Sequence, residues 1–484
     1  MFSFLICLLG IAIGIVSWFK NKKYITVLML FFFLTNYYQL EFLSQASLFA
    51  KPLDYALLMS TPIMLHGLIH HPSYFTIKGD PIAKCVLLLE LYFFLSFIYT
   101  VISGIQDINW ALKVYRTQFF FLFYFWLRRV PVSNYVIVFK AVLGISMILL
   151  IFFYLQLVDI KLISGGTDEP LSLSQGTFSR MRNLPFMTII FFIILAFSKI
   201  KKLYKYLLFI LWGGALVLSQ HRGMILSIAI AIPFGLLMKA HVAQALSFIR
   251  TLTVIALLFS PILIYRFTDK GGSESSITEE INKGLSMRDT KKAEIEGTFT
   301  FRIFLVLERI EYMIAHPNKL LFGIGSVHED SPYVQRKYNF TIGADKADKS
   351  GNFTIKQQID TTDVAFISFF MRYGLIGLSL IILLLVILFK QFSNKTNRRI
   401  EAQLGFTLML YCFMRITSGD EFSHQKYLIF FICYIVIIKI NKYEHQKRIC
   451  HSRNRNIQSA SVSPESNWCS TASNNQYSYN FSCK

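Results

Sequence analysis

Hydrophilic sequence is scarce in this chain. From Phe2 to roughly Ile440 apolar runs follow one another with connectors of about 2 to 25 residues, and a single long polar stretch, from about Arg266 to Asp360, interrupts them. Hydrophobic residues make up 54% of the chain and aromatics 16%, with 47 Phe, which agrees with residence in a membrane. Two related halves are missing, and so are charged residues deep in many spans. A carrier built from inverted repeats shows matching interruptions in its halves, so their absence argues against a solute carrier. Cysteine is also sparse. Cys7, Cys85, Cys412 and Cys433 fall in apolar runs and Cys450, Cys469 and Cys483 in the tail, which leaves no disulfide framework and no metal-ligand spacing. The connectors assigned below to the outer side hold no Asp-x-Asp motif, so metal independence is expected, and no residue pattern calls for a cofactor. The first run lacks a basic start and a small-residue cleavage site, so it is expected to remain as a helix and not to act as a secretory signal.

What is present is a series of runs long enough to cross ~30 Å of hydrocarbon at 1.5 Å per residue, roughly thirteen in all. They lie near 2–19, 24–40, 53–69, 82–103, 111–127, 135–158, 184–198, 203–219, 223–238, 247–265, 361–389, 401–417 and 426–440. The expected fold class is therefore all-α, a polytopic integral membrane helical bundle of about 12–13 transmembrane helices with one large external loop. Its parts are residues 1–265 with helices 1–10, the loop 266–360, residues 361–440 with helices 11–13, and a disordered tail, 441–484. Basic residues gather in alternate connectors: Lys20, Lys22 and Lys23; Lys78 and Lys84; Arg128 and Arg129; Lys199 to Lys205; Lys239 and Arg250; Lys390 to Arg399; and Lys439 to Arg448. Such residues are retained in the cytoplasm, which puts the amino terminus and the long loop outside and the carboxyl terminus inside. A formal charge of +21 is explained by this topology and by contact with membrane lipids, so no nucleic-acid partner is inferred.

Three outer connectors break the charge rule. Arg180 and Arg182 lie in Gln175-Gly176-Thr177-Phe178-Ser179-Arg180-Met181-Arg182, Arg222 in the turn Ser219-Gln220-His221-Arg222-Gly223, and Lys113 with Arg116 opens the fifth run. Arginine at the mouth of a bundle is costly unless it pairs with an anion, and its planar fork matches two phosphate oxygens. Within the loop, 298–316 reads as an amphipathic helix whose Arg302 and Arg309 share a face. It ends at His316-Pro317. Gly323-Ile324-Gly325 follows, a turn expected to bring backbone amides near whatever sits below it, and Asp360-Thr361-Thr362-Asp363 leads into a span carrying Arg372-Tyr373-Gly374-Leu375-Ile376-Gly377.

In their order around one external loop, the Gly-Thr-Phe, Ser-x-x-Arg-Gly, His-Pro, Gly-Ile-Gly and Tyr-Gly-Leu-Ile-Gly motifs resemble the bacterial O-antigen polymerase and O-antigen ligase superfamily, from Gly176 to Gly377. The resemblance implies a glycosyltransferase of the cytoplasmic (inner) membrane, acting on oligosaccharides linked to polyprenyl pyrophosphate in lipopolysaccharide or capsule assembly, with a chain-length regulator as a further partner. It assigns reaction arginines to Arg222 and Arg302. Where ligases carry His-Asn this sequence has Thr362-Asp363, which favours a polymerase. A ligase is the nearest rival, and a polysaccharide flippase the rival of another class.

Candidate catalytic residues are accordingly Arg222, Arg302, Asp363 and His328, the last in Val327-His328-Glu329-Asp330, and candidate substrate-binding residues are Arg180, Arg182, Arg309 and Arg116. Each has a plainer reading. Arg222 and the Arg180/Arg182 pair can snorkel to headgroup phosphates, Arg302 can be solvated, His328 can be a surface histidine, and Asp363 can cap the helix that follows it. Glu90, a carboxylate within a span, needs a partner that the sequence does not name.

Overall fold

The computed structural model describes residues 2–44, 46, 50–158, 160–164, 181, 183–198, 200–219, 221–238, 241–260, 298–343, 345–347, 354–361, 364–393, 400–416 and 425–441. Every apolar run contains helix. Up to the loop these are α1 (Phe2–Phe19), α2 (Lys23–Leu34), α3 (Pro52–His70), α4 (Pro81–Ile102), α5 (Ile108–Tyr115), α6 (Phe123–Leu127), α7 (Val132–Leu155), α8 (Thr188–Phe197), α9 (Lys202–Leu218), α10 (Arg222–Met238) and α11 (Val242–Leu258). The loop contributes α12 (Thr298–Ile314), α13 (Pro317–Phe322) and α14 (Pro332–Lys337), with a ribbon in which β1 (Asp345–Ala347) pairs antiparallel with β2 (Thr354–Lys356). Then come α15 (Ala365–Ser393), α16 (Ile400–Met414) and α17 (425–441). The all-α polytopic membrane class stands. Among the described residues, Phe2–Phe19, Pro81–Ile102, Val132–Val158 and Phe366–Ser393 are individually long and apolar enough to cross a membrane.

Local chemistry sets the helix starts. Pro52 and Pro81 occupy first-turn positions where a missing N–H costs nothing, and the Asp80 carboxylate accepts from Ile82 N at 3.0 Å and Ala83 N at 3.1 Å. Packing then builds a bundle in which α2 meets α1, α3 and α7, α4 lies along α15, and α10 lies against α11 and α16. Leucines and isoleucines such as Leu9, Ile102 and Leu257 stay exposed on the outer faces, which in a bilayer is contact with lipid.

Four of the basic connectors meet at one end. Lys23 Nζ donates to Arg129 O at 3.1 Å, while Asp80 receives Arg128 at 3.5 Å, the Tyr124 hydroxyl at 2.6 Å and the Lys439 ammonium. The loop sits at the opposite end, where Gln106 Nε2 donates to Ser326 O at 2.6 Å.

Two runs depart from the sequence reading. The second ends at Leu34, not residue 40: the Thr35 hydroxyl donates to Phe31 O at 2.7 Å, and Asn36, Tyr37, Tyr38 and Gln39 follow with φ of 55°, 57°, 53° and 59°. A left-handed residue costs about 1–2 kcal/mol. The turn is held by burial of Tyr37, by Tyr38 Oη donating to Leu28 O at 3.0 Å, and by Gln39 Oε1 accepting from Phe186 N at 2.7 Å. The run 111–127 is likewise no single helix. Thr117 Oγ1 donates to Val114 O at 2.7 Å, and a 3₁₀ turn, Gln118–Leu122, separates α5 from α6.

The loop has a hydrophobic core of its own. Leu305, Met313, Val334, Tyr338 and Ile359 pack with Val364, Ile367 and Met371, so the outer part of α15 belongs to the loop's core as much as to the bundle. The loop helix matches the expected 298–316 stretch, and a second helix starts at Pro317.

Candidate active site

The site begins with a broken helix. Inside α15, Gly374 has φ 62° and ψ −165°, so carbonyls of the preceding turn lose their intrahelical donors. The loop and α4 replace them: from the loop Ile324 N donates to Met371 O at 2.9 Å and Gly325 N to Arg372 O at 3.0 Å, and from α4 Tyr92 Oη donates to Tyr373 O at 2.7 Å. Gly323 and Gly374 allow the two backbones to meet. A Cβ on Gly323 would lie 2.0 Å from Arg372 O, and one on Gly374 2.5 Å from Gly323 N. What sits below the Gly323-Ile324-Gly325 turn is α15: the Ile324 and Gly325 amides clamp the loop onto it, while Gly323 N donates back to Lys319 O at 2.7 Å.

This clamp sets Arg372 at the mouth of the bundle. Its guanidinium pairs with Asp360 at 2.6 Å and its Nε donates to Val327 O at 2.9 Å. Asp360 is held from behind by Glu329, whose carboxylate accepts from Gln358 N at 2.7 Å, Ile359 N at 2.7 Å and Asp360 N at 2.8 Å. Burial by itself would raise the Asp360 carboxyl. The Arg372 guanidinium, with smaller help from His328 and Lys51, outweighs burial and holds it below the usual carboxylate range. The side chain keeps 44% exposure, so one edge of this ion pair faces solvent.

His328 shares the basin. Burial pushes its imidazole down to about 4; the charges of Asp330 and Asp360 oppose that, and those of Arg372 and Lys51 add to it. Asp330 N donates to His328 Nδ1 at 3.1 Å, so the ring proton sits on Nε2 in the neutral form. In that tautomer Nε2 donates a hydrogen bond and cannot take a proton, which counts against His328 as the base. Its ring rests 5.0 Å from that of Trp110.

The remaining candidates fare differently. Arg116 pairs with Asp54 at 2.8 Å, so the anion that its position calls for is a protein carboxylate. Arg309 is 1% exposed, donates to Gln357 O at 3.1 Å, Gln358 O at 3.2 Å and Leu305 O at 3.3 Å, and contacts Glu308 at 3.1 Å. It braces the loop, which is a correction to its reading as a substrate ligand: an amphipathic pattern does not tell an arginine on the polar face from one turned into a loop's interior. Arg302 is half-buried early in α12, and Arg222 is the first residue of α10. Arg180, Arg182 and Asp363 lie outside the described residues. Glu90 is buried, and neither carboxylate oxygen has a hydrogen-bond partner.

Sequence reasoning assigned no role to the Asp360–Arg372 pair. A signal was there, since an arginine inside an apolar span demands an anion and Asp360 stands at that span's mouth.

Residues 207–382 match the family described as O-antigen ligase. The matched region carries Arg222, the whole loop, the Asp360–Arg372 pair and the break at Gly374, and it supports the O-antigen polymerase and ligase superfamily. Members of that family are membrane glycosyltransferase-like enzymes, and the family implies polyprenyl-linked saccharides as substrates. No curated protein matches the chain.

Proposed function

We propose, for a chain whose residues 207–382 match the O-antigen ligase family, that it is a polysaccharide polymerase working at the outer face of a bacterial cytoplasmic membrane. The observation that carries the choice is Thr362-Asp363 where ligases have His-Asn. A hydroxyl at the non-reducing end of one lipid-linked repeat attacks the anomeric carbon of another. The new glycosidic C–O bond forms, the bond from that carbon to the pyrophosphate oxygen breaks, and polyprenyl pyrophosphate leaves with the electron pair while a base takes the hydroxyl proton.

The leaving group is already good, so the protein's task is to orient two large substrates and to neutralise charge growing on the pyrophosphate. Arg222 and Arg302 are assigned to the pyrophosphate. Arg372, held by Asp360 and Val327 O, fixes the Asp360 carboxylate at the loop-covered mouth of the bundle. Asp363 is assigned as the base, because His328 has its Nδ1 lone pair engaged.

Deletion of the gene followed by analysis of lipid-linked glycans tests the reading. Accumulation of single repeats is expected. Long lipid-linked chains would replace it with a ligase, and repeats stranded in the cytoplasmic leaflet with a flippase.

A further inference from the structure

A cleft of about 490 Å3 opens between the loop and the connector that follows α4. That size lies within the ~300–1,000 Å3 of small-molecule sites. Its bundle wall carries Gln106, Asp107 and Trp110, and its loop wall Tyr333, Arg336 and Lys337.

The walls are fixed and their chemistry is left open. Gln106 donates through Nε2 to Ser326 O at 2.6 Å and accepts His328 N at 3.2 Å, which ties the bundle wall to the loop turn that also binds Arg372. Trp110 is immobilised by the Lys113 ammonium, 3.7 Å from its ring centre, and by the His328 ring. Lys337 bonds the Tyr333 hydroxyl.

Asp107 occupies the N-cap position of α5, yet its carboxylate makes no cap bond. An N-cap aspartate normally satisfies first-turn amides, so a carboxylate withheld from that task stands free for ligand hydroxyls. Arg336 donates through Nε to Pro332 O at 3.2 Å, which leaves both terminal nitrogens for an anion.

Aromatic rings offer sugar rings an apolar platform, a carboxylate takes vicinal hydroxyls, and two adjacent cations want negative charge. We infer that this cleft is a subsite for an acidic saccharide segment, one bearing uronic carboxylates or phosphate, which it holds beside the basin of His328, Asp360 and Arg372. The inference rests on the reading that the chain handles saccharides. It goes further by naming the place and the charge of the sugar.

The test titrates the purified full-length chain in detergent with tetragalacturonate and with uncharged maltotetraose, followed by calorimetry. Saturable binding of tetragalacturonate is expected, weakened about tenfold or more by Trp110→Ala and by the exposed double change Arg336→Gln with Lys337→Gln. Maltotetraose should bind more weakly, and the double change should leave its binding unaltered. Equal binding of the two probes, no binding by the unaltered chain, or indifference to the double change overturns the proposal. Binding at equilibrium needs no turnover, so a gene deletion that pointed to a ligase would leave this result intact, and failure here would leave the polymerase reading intact.

Discussion

At the residue scale, two arginines serve the protein itself. Arg116 pairs with Asp54 and Arg309 with loop carbonyls; Arg222 and Arg302 are the ones assigned the proposed pyrophosphate role. Arg222→Lys should therefore impair polymer formation nearly as much as Arg222→Ala, because an ammonium does not reproduce the bidentate fork. Full polymer in the alanine variant at normal protein level would remove Arg222 from the mechanism, and the same pair of substitutions tests Arg302. For Asp363, Asn retains capping but not basicity, so Asp363→Asn should lower activity by ~10²–10⁴-fold if it is the base; unchanged activity would leave it only a cap.

His328 makes a separate prediction about stability. Its folded-state value of about 4 lies below the ordinary 6.5, so between those limits the unfolded chain binds a proton that the folded chain refuses. The contribution to stability is complete above pH 6.5 and is lost as pH falls toward 4. His328→Asn keeps an acceptor near Nδ1 and removes the titration. Protease resistance of the loop, followed from pH 7 to 4, should fall less steeply in that variant; an unchanged slope would show that other groups set it.

At the element scale, the break in α15 and the Gly323–Gly325 turn form one joint. Gly374→Ala and Gly323→Ala each place a methyl against backbone at 2.4 Å and 2.0 Å respectively, on positive φ, which costs about 1–2 kcal/mol before the clash is counted. Both should free the loop to protease while leaving membrane insertion unaltered. Tyr92→Phe removes the donor that serves Tyr373 O at 2.7 Å and Phe322 O at 3.1 Å, and a milder loosening, worth about 1–3 kcal/mol, is expected from the unsatisfied carbonyl. Loop cleavage in these variants at the rate of the unaltered chain would mean that the joint does not hold the loop.

At the scale of the whole molecule, one end gathers Lys23, Asp80, Arg128 and Lys439, and the other carries the loop with its own core. With basic ends held in the cytoplasm, a membrane-impermeant thiol reagent should label Asn339→Cys in intact cells and reach Asn21→Cys only after permeabilisation. The reverse pattern would invert the topology and take the proposed site off the polymer-assembly face.

The sequence by itself determined the helical membrane class, where the apolar runs lie, the amphipathic loop helix and the family motifs, because hydropathy and helical period are local properties of a chain whose solvent is lipid. It also marked Glu90 as a charge in need of a partner, but gave Arg372 and Asp360 no role. Tertiary structure alone decided which charges meet. Arg309 and Arg302 share a helical face in sequence, but only packing turns Arg309 into the loop's interior, where backbone carbonyls satisfy it. Gly323 and Gly374 are 51 positions apart, and no local pattern reveals that the amides following the first, Ile324 N and Gly325 N, relieve the carbonyls stranded by the second. Asp107, Trp110, Tyr333 and Arg336 carry no motif at all; they become a site only because the loop folds back across the bundle and closes a cleft over them.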